Sequence, residues 1–167
     1  MSRCFDLDGT LLNYGNANFT TSINTAFLDT LAGTTDAPEF IKIVTNQGGL
    51  QWGMAGIAKY PTISYFEDRI IRLMATLQDR NIYIHSVYAC IYRPKGDHLL
   101  EDQVKEAIAT SRIGRIVTVL DEEAYRKPAP GMLLLAGATV LYGDSDEDEQ
   151  AAQAAGIPFI RVDRFHG

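Results

Sequence analysis

Apolar residues along this chain fall into two patterns, short unbroken runs and longer stretches in which they recur every three or four positions. The short runs read as buried strands: CFDL (4–7), FIKIVT (40–45), IYIHSVYAC (82–90), RIVTVL (115–120), ATVLYG (138–143) and IPFIRV (157–162). Helical periodicity lies between them. Residues 20–33 place Ile23, Ala26, Phe27 and Leu31 on one face and stop at Gly33. Residues 64–81 carry a stripe of Phe66, Ile70, Leu73, Met74 and Leu77, with Ser64 and Glu67 spaced for a capping box. Leu100, Val104, Ala107 and Ile108 mark another face, and EDEQAAQAAG (147–156) a last helix ending at Gly156. Strands alternating with helices predict a parallel sheet covered on both faces, a three-layer, Rossmann-like α/β fold. No repeat, low-complexity tract or Pro/Ser linker divides the chain, so one domain over 1–167 is expected.

In such a sheet ligands bind beyond the carboxyl ends of the strands, which gives the polar residues there their interest. The first strand ends in DLDGT, the second in TNQGG and the fifth in GDSDED, and a separate loop reads YRKPAPGM. Asp6 and Asp8, two positions apart, point the same way if the strand continues, an arrangement that needs a cation or a solvated cleft. A strand stopping in an Asp-Gly turn accounts for the same residues. Thr-Asn turns, Lys-Pro pairs and acidic helix starts have equally ordinary structural explanations. Together, however, the four segments supply a carboxylate nucleophile, an acid or base beside it, ligands for a metal, and a cation and hydroxyl for phosphate oxygens.

The series FDLDGTL, IVTNQ, RKPAPGM, YGDSDED resembles, in its order, the motifs of the haloacid dehalogenase (HAD) superfamily of aspartate-dependent phosphohydrolases, from Phe5 to about Asp163. TNQ combined with RKPxPGM is similar to the group containing histidinol-phosphate phosphatase, heptose-bisphosphate phosphatase and the 3′-phosphatase of polynucleotide kinases. The resemblance implies a role for each matching residue. Asp6 would be the nucleophile that forms an aspartyl-phosphate, and Asp8 the acid that protonates the leaving oxygen and later activates water. Thr45, with Asn46 beside it, would bind phosphate oxygen, and Lys127 would neutralise the phosphoryl group and the nucleophile. Asp144 would ligate Mg²⁺ directly, together with Asp6 and the backbone carbonyl of Asp8. Asp148, one helical turn later, would act behind these ligands or through water. Four carboxylates in one cleft repel, and a hard divalent ion with oxygen ligands is the natural remedy.

The chain departs from the zinc-holding relatives of that group. Cys90 stands where a Cys-x-His pair would begin, but Tyr92 replaces the histidine, and Glu123 and Tyr125 replace the second cysteine pair. One thiolate does not hold zinc, so packing, with Tyr92 and Tyr125 as candidates, is expected to hold the loop. About seven residues separate FDLDGTLL from the first helical region, and alternation accounts for most of 48–124, so no large cap domain is expected. The GGLQWGM segment (48–54), with Trp52, reads either as a flap over substrate or as a turn with a core tryptophan. Arg93 and Lys95, beyond the third strand, read as a specificity pair or as a solvated loop.

Charge narrows the substrate. Of 167 residues 46% are apolar and 22% charged, with a net charge of −6 and a pI near 5.0. That balance opposes a surface built to neutralise many nucleic-acid phosphates. No apolar run is long enough for a membrane span, and no signal peptide is evident. Cys4 and Cys90 suggest buried free thiols in a reducing cytosol, while His85, His98 and His166 lack ligand spacing. The expected activity is Mg²⁺-dependent hydrolysis of a small phosphorylated metabolite: a sugar, amino-alcohol or nucleotide monophosphate. A DNA or RNA 3′-phosphatase is the rival, and a non-catalytic binding protein on the same fold the third reading. Phosphomutase chemistry ranks below these, because a cap normally retains the intermediate for re-addition.

Overall fold

The predicted strands form, each within a few residues of its expected bounds. The computed structural model describes residues 2–14, 21–33, 37–48, 50, 62–91, 116–119 and 122–167. Its strands are β1 (Arg3–Phe5), β2 (Glu39–Asn46), β3 (Ile82–Cys90), β4 (Ile116–Val119), β5 (Val140–Gly143) and β6 (Phe159–Arg161). They pair in parallel in the order β4-β3-β2-β1-β5-β6. The helices are α1 (Thr25–Ala32), α2 (Ile63–Gln78), a short α3 (Glu122–Tyr125), α4 (Gly131–Ala136) and α5 (Asp146–Ala155). The face expected over Leu100–Ile108 lies outside the described residues.

Side chains on successive strand positions point to opposite faces, and this parity divides the core in two. Phe5, Ile41, Ile43, Ile84 and Val87 face one way and pack with Leu28 and Leu31 of α1 and Phe66, Ile70, Leu73 and Leu77 of α2. Cys4, Val44, Tyr88, Cys90 and Leu141 face the other way, against Met132, Leu133 and Ala136 of α4 and Ala151 and Ala152 of α5. Each fully buried Leu, Ile or Phe contributes about 1.5–3 kcal/mol, so these two layers are the main source of stability. Both cysteines are buried thiols outside any disulfide, and burial pushes the Cys4 thiol up to about 12. No helix among the described residues is long and apolar enough to cross a membrane.

Two local expectations are corrected, and one irregularity is added. The first helix starts at Thr25, because Asn24 caps it by accepting from the Phe27 N–H. Ile23 therefore precedes it, in a bridge to Leu12, and Ala26 faces solvent while Leu28 joins Leu31 in the core. In α2 the cap is Thr62, whose hydroxyl accepts from the Tyr65 N–H, rather than Ser64. The earlier cap leaves Ser64 inside the first turn and puts Glu67 among the buried residues of the helix. The pairing of β2 with β3 slips between Ile41 and Lys42, leaving His85 as the extra, exposed residue.

The topology also fixes where a ligand can bind. From β1 the chain runs outward through β2, β3 and β4, then returns to the other side of β1 with β5 and β6. The order reverses at β1, so the carboxyl ends of β1, β2 and β5 open onto one crevice.

Candidate active site

Asp6 follows β1 directly and extends its ladder by one bond, donating its N–H to Tyr142 O at 2.9 Å. The chain then turns tightly: the N–H groups of Thr10, Leu11 and Leu12 all donate to Leu7 O, at 3.3, 3.0 and 3.0 Å. Gly9 makes the turn possible. Its φ is +87°, and a side chain there would overlap the Asp144 carboxylate. On the neighbouring strand Gly143 leaves room for Asp148 in the same way. Asp148 is placed by the first turn of α5. Ser145 caps that helix, its hydroxyl accepting from the Asp148 N–H at 3.2 Å, while the Asp148 carboxylate accepts from Ser145 N–H and Oγ.

Lys127 is the centre of the cluster. Its Nζ donates to Asp6 Oδ1 at 2.8 Å, to Val44 O at 3.0 Å and to Asp148 Oδ1. Asn46 fixes its backbone from β2: Oδ1 accepts the Lys127 N–H and Nδ2 donates to the Lys127 carbonyl, both at 3.0 Å. Both polar atoms of the Asn46 amide, expected beside the phosphate-binding hydroxyl, are thus engaged with the lysine. Side-chain exposure is 3% for Lys127, 10% for Asp6 and 2% for Asp148, so these charges meet away from bulk water. Burial opposes the charge on Lys127, yet the Asp6 and Asp148 carboxylates outweigh it and raise its pKa. Burial pushes the Asp6 carboxyl well above its usual range; Lys127 pulls it back, and the neighbouring Asp148 and Asp144 push it up again.

Asp8 is held differently. Arg69 of α2 pairs with its Oδ1, and Gln47 Nε2 donates to its Oδ2 at 2.8 Å and to Thr45 Oγ1 at 2.9 Å. Asp144 accepts from Arg164 Nε at 2.7 Å and from Thr10 Oγ1 at 3.5 Å. Arg164 comes from the tail after β6, which is stitched to the first loop by Phe165 N–H to Gly9 O and Tyr14 N–H to Phe165 O, both 2.8 Å. Its guanidinium lies 4.1 Å from the Tyr14 ring centroid.

Asp6, Asp8, Thr45, Asn46, Lys127, Asp144 and Asp148 all line one cavity of about 570 Å³. Trp52, Arg93, Lys95 and Tyr92 lie outside the described residues. Tyr125 is half-buried against the core beneath α4, while Glu123 lines the cavity. Tyr14, Arg126 and Arg164 also line it, and sequence reasoning passed over them; Glu147, which reads from sequence as a solvated residue at a helix start, lines it too. Arg126 could have been noticed beside Lys127; Arg164 has no local signal, since only the tail's return to the first loop brings it in.

Oxygen atoms of Asp6, Asp144 and Asp148 lie within 4.8 Å of one another. These three carboxylates are paired among the described residues with two cations, Lys127 and Arg164. A donor set of hard carboxylate oxygens with excess negative charge fits Mg²⁺.

Comparison with known proteins places the chain in a family. Residues 3–152 match the family model for polynucleotide kinase 3 phosphatase. A Mesorhizobium loti crystal structure, of a protein described as HAD-like phosphatase, superposes with a TM-score of 0.63 at 24% identity, covering 93% of this chain and 68% of that one. At that identity the likeness speaks for the fold. No curated protein matches the chain. The family match spans nearly the whole chain and includes every residue of the buried cluster, and the chain belongs to the polynucleotide kinase 3 phosphatase family of HAD-like phosphatases.

Proposed function

We propose that the chain is a Mg²⁺-dependent phosphomonoesterase that works through an aspartyl-phosphate on Asp6. The observation that carries this reading is the buried meeting of Asp6, Lys127 and Asp148 at the mouth of the switch point, with Asp8 two residues along the same loop. In the first step an Asp6 oxygen attacks phosphorus while the bond to the ester oxygen breaks. Asp8 gives its proton to that oxygen, and the alcohol leaves. In the second step water attacks phosphorus, the bond to Asp6 breaks, and Asp8 takes the proton. Inorganic phosphate is released, and both aspartates return to their starting state. Lys127 holds Asp6 in place and offsets the charge gathering on the phosphoryl oxygens, and the Thr45 hydroxyl donates to one of them. Asp6, Asp144, the Asp8 carbonyl and, behind them, Asp148 would hold Mg²⁺, which supplies further charge neutralisation when bound.

Two observations bear on the substrate. The family match favours a 3′-phosphorylated nucleic-acid end, whereas the net charge of −6 opposes contact with many phosphates. Both are met by a terminal 3′-nucleotide recognised locally, by its own phosphate and nucleoside. A phosphorylated sugar or amino-alcohol is the second reading, favoured by the acidic total charge. The one-domain organisation without a large cap belongs to the same proposal, since an open crevice admits a chain end.

The test is kcat/KM for a 3′-phosphorylated oligonucleotide, a nucleoside 3′-monophosphate and a panel of sugar phosphates, at low and moderate salt, with Mg²⁺ and with chelator. Local recognition predicts similar values for oligonucleotide and mononucleotide, mild salt dependence and loss of activity in chelator. A steep fall with salt for the oligonucleotide alone would indicate a multi-phosphate footprint. A sugar phosphate preferred by orders of magnitude would establish the second reading. Full activity in chelator would overturn the ion's role.

A further inference from the structure

Asp8 is clamped by two side chains that do not themselves line the cavity. Arg69, on the second turn of α2, pairs with Asp8 Oδ1, and Gln47, just past β2, donates to Oδ2. Asp8 lines the cavity; Arg69 and Gln47 do not. The Asp8 side chain is 29% exposed and that of Arg69 11%, so the carboxylate faces the crevice while the guanidinium sits behind it. Arg69 Nε has no hydrogen-bond partner among the described residues, and the Tyr65 ring lies 5.7 Å from its guanidinium carbon. Asp8 is therefore the acceptor around which this half-enclosed cation is organised.

We infer that Arg69 and Gln47 are positioning residues for the proton-transfer carboxylate, fixing Asp8 toward the ester oxygen without touching substrate. The inference rests on the reading of Asp8 as the acid. A carboxyl group at the end of a mobile side chain must be aimed before it can deliver a proton. Each Asp8 oxygen has its own anchor, and the two anchors come from separate elements, so the rotation of the carboxyl plane is fixed. Gln47 also joins Asp8 to Thr45 Oγ1, coupling the aim of the acid to the hydroxyl at the phosphate position. A clamp of this kind matters in proportion to how much the leaving oxygen needs a proton: greatly for an alkoxide, little for 4-nitrophenolate. It matters again in the second step, when Asp8 takes a proton from water, whatever the leaving group was.

The experiment compares the wild type with Arg69→Met, Arg69→Lys, Gln47→Leu and Asp8→Asn, using an alkyl phosphate and 4-nitrophenyl phosphate. Thermal unfolding serves as the folding control. Arg69→Met is expected to lower kcat/KM about 10-fold or more on the alkyl ester and less than about 3-fold on the nitrophenyl ester. On the alkyl ester, where phosphorylation limits, KM should change little; on the nitrophenyl ester KM should fall together with kcat. On the nitrophenyl ester a burst of about one nitrophenolate per chain should precede a slower steady state, because leaving-group release outruns dephosphorylation. Arg69→Lys should recover part of the loss, and Gln47→Leu should reproduce the pattern more weakly. Equal losses on both esters with no burst would overturn the inference in favour of a structural ion pair. A change confined to KM would overturn it in favour of substrate contact. Asp8→Asn separates the two levels: if it fails to discriminate between the esters, Asp8 is not the acid and the underlying reading falls with the inference. If Asp8→Asn discriminates and the Arg69 and Gln47 variants do not, the clamp alone is wrong.

Discussion

Replacing Asp6 by Asn is expected to abolish turnover, with a fall in kcat of at least about 10³-fold, while leaving the fold intact. Asn has the same shape, and its amide oxygen can still accept the Lys127 hydrogen bond now made at 2.8 Å. It cannot form the acyl-phosphate bond. The backbone contribution of residue 6, its N–H to Tyr142 O, is independent of the side chain. Unfolding curves close to those of the wild type, measured beside steady-state kinetics, would locate the loss in chemistry. Near-normal turnover of Asp6→Asn would contradict the covalent mechanism.

Removing the Lys127 charge is expected to damage stability and activity together. Lys127→Met keeps the unbranched apolar stem but leaves Asp6 and Asp148 facing each other with no cation between them. Breaking a buried pair from one side costs about 3–5 kcal/mol, and removing a charge aimed at the transferring group costs about 10²–10³-fold in kcat. Because the excess carboxylate charge is then larger, added Mg²⁺ should recover part of the lost thermal stability, and more than it adds to the wild type. Urea unfolding with and without Mg²⁺, alongside kcat, checks both parts. An unchanged unfolding midpoint would show that the lysine is not the counter-ion of this cluster.

Periodicity carried the layers well because parity on a strand and the turn of a helix are imposed by backbone geometry. Cys4 and Phe5, or Ile43 and Val44, go to opposite faces for that reason alone. Helix starts were less legible. Asn24 and Thr62 cap because of the conformation of the chain entering each helix, and Ser64 offers the same chemistry two residues too late. The residues that became the site's charged centre were visible as strand-end acids and a Lys-Pro pair. The residues that support them were not. Asn46 was read for its neighbour Thr45, yet its amide is complementary to the backbone of a residue 81 positions away. Arg69 sits in a helix whose periodicity marks it as an ordinary polar position, and only the packing of α2 against the first loop aims it at Asp8. Arg164 enters through the returning tail. Support of this kind depends on tertiary proximity, which a local pattern does not encode.

The central claim is that phosphate passes through a covalent bond to Asp6, and the most direct measurement is to trap it there. Asp8→Asn should slow the second step, so rapid acid quenching of this variant during turnover of 4-nitrophenyl phosphate, followed by peptide mass mapping, will catch the intermediate. The account predicts one phosphoryl group per chain, on the peptide containing Asp6 and on that residue. Turnover without any phosphorylated chain, or a phosphoryl group on another residue, would contradict it.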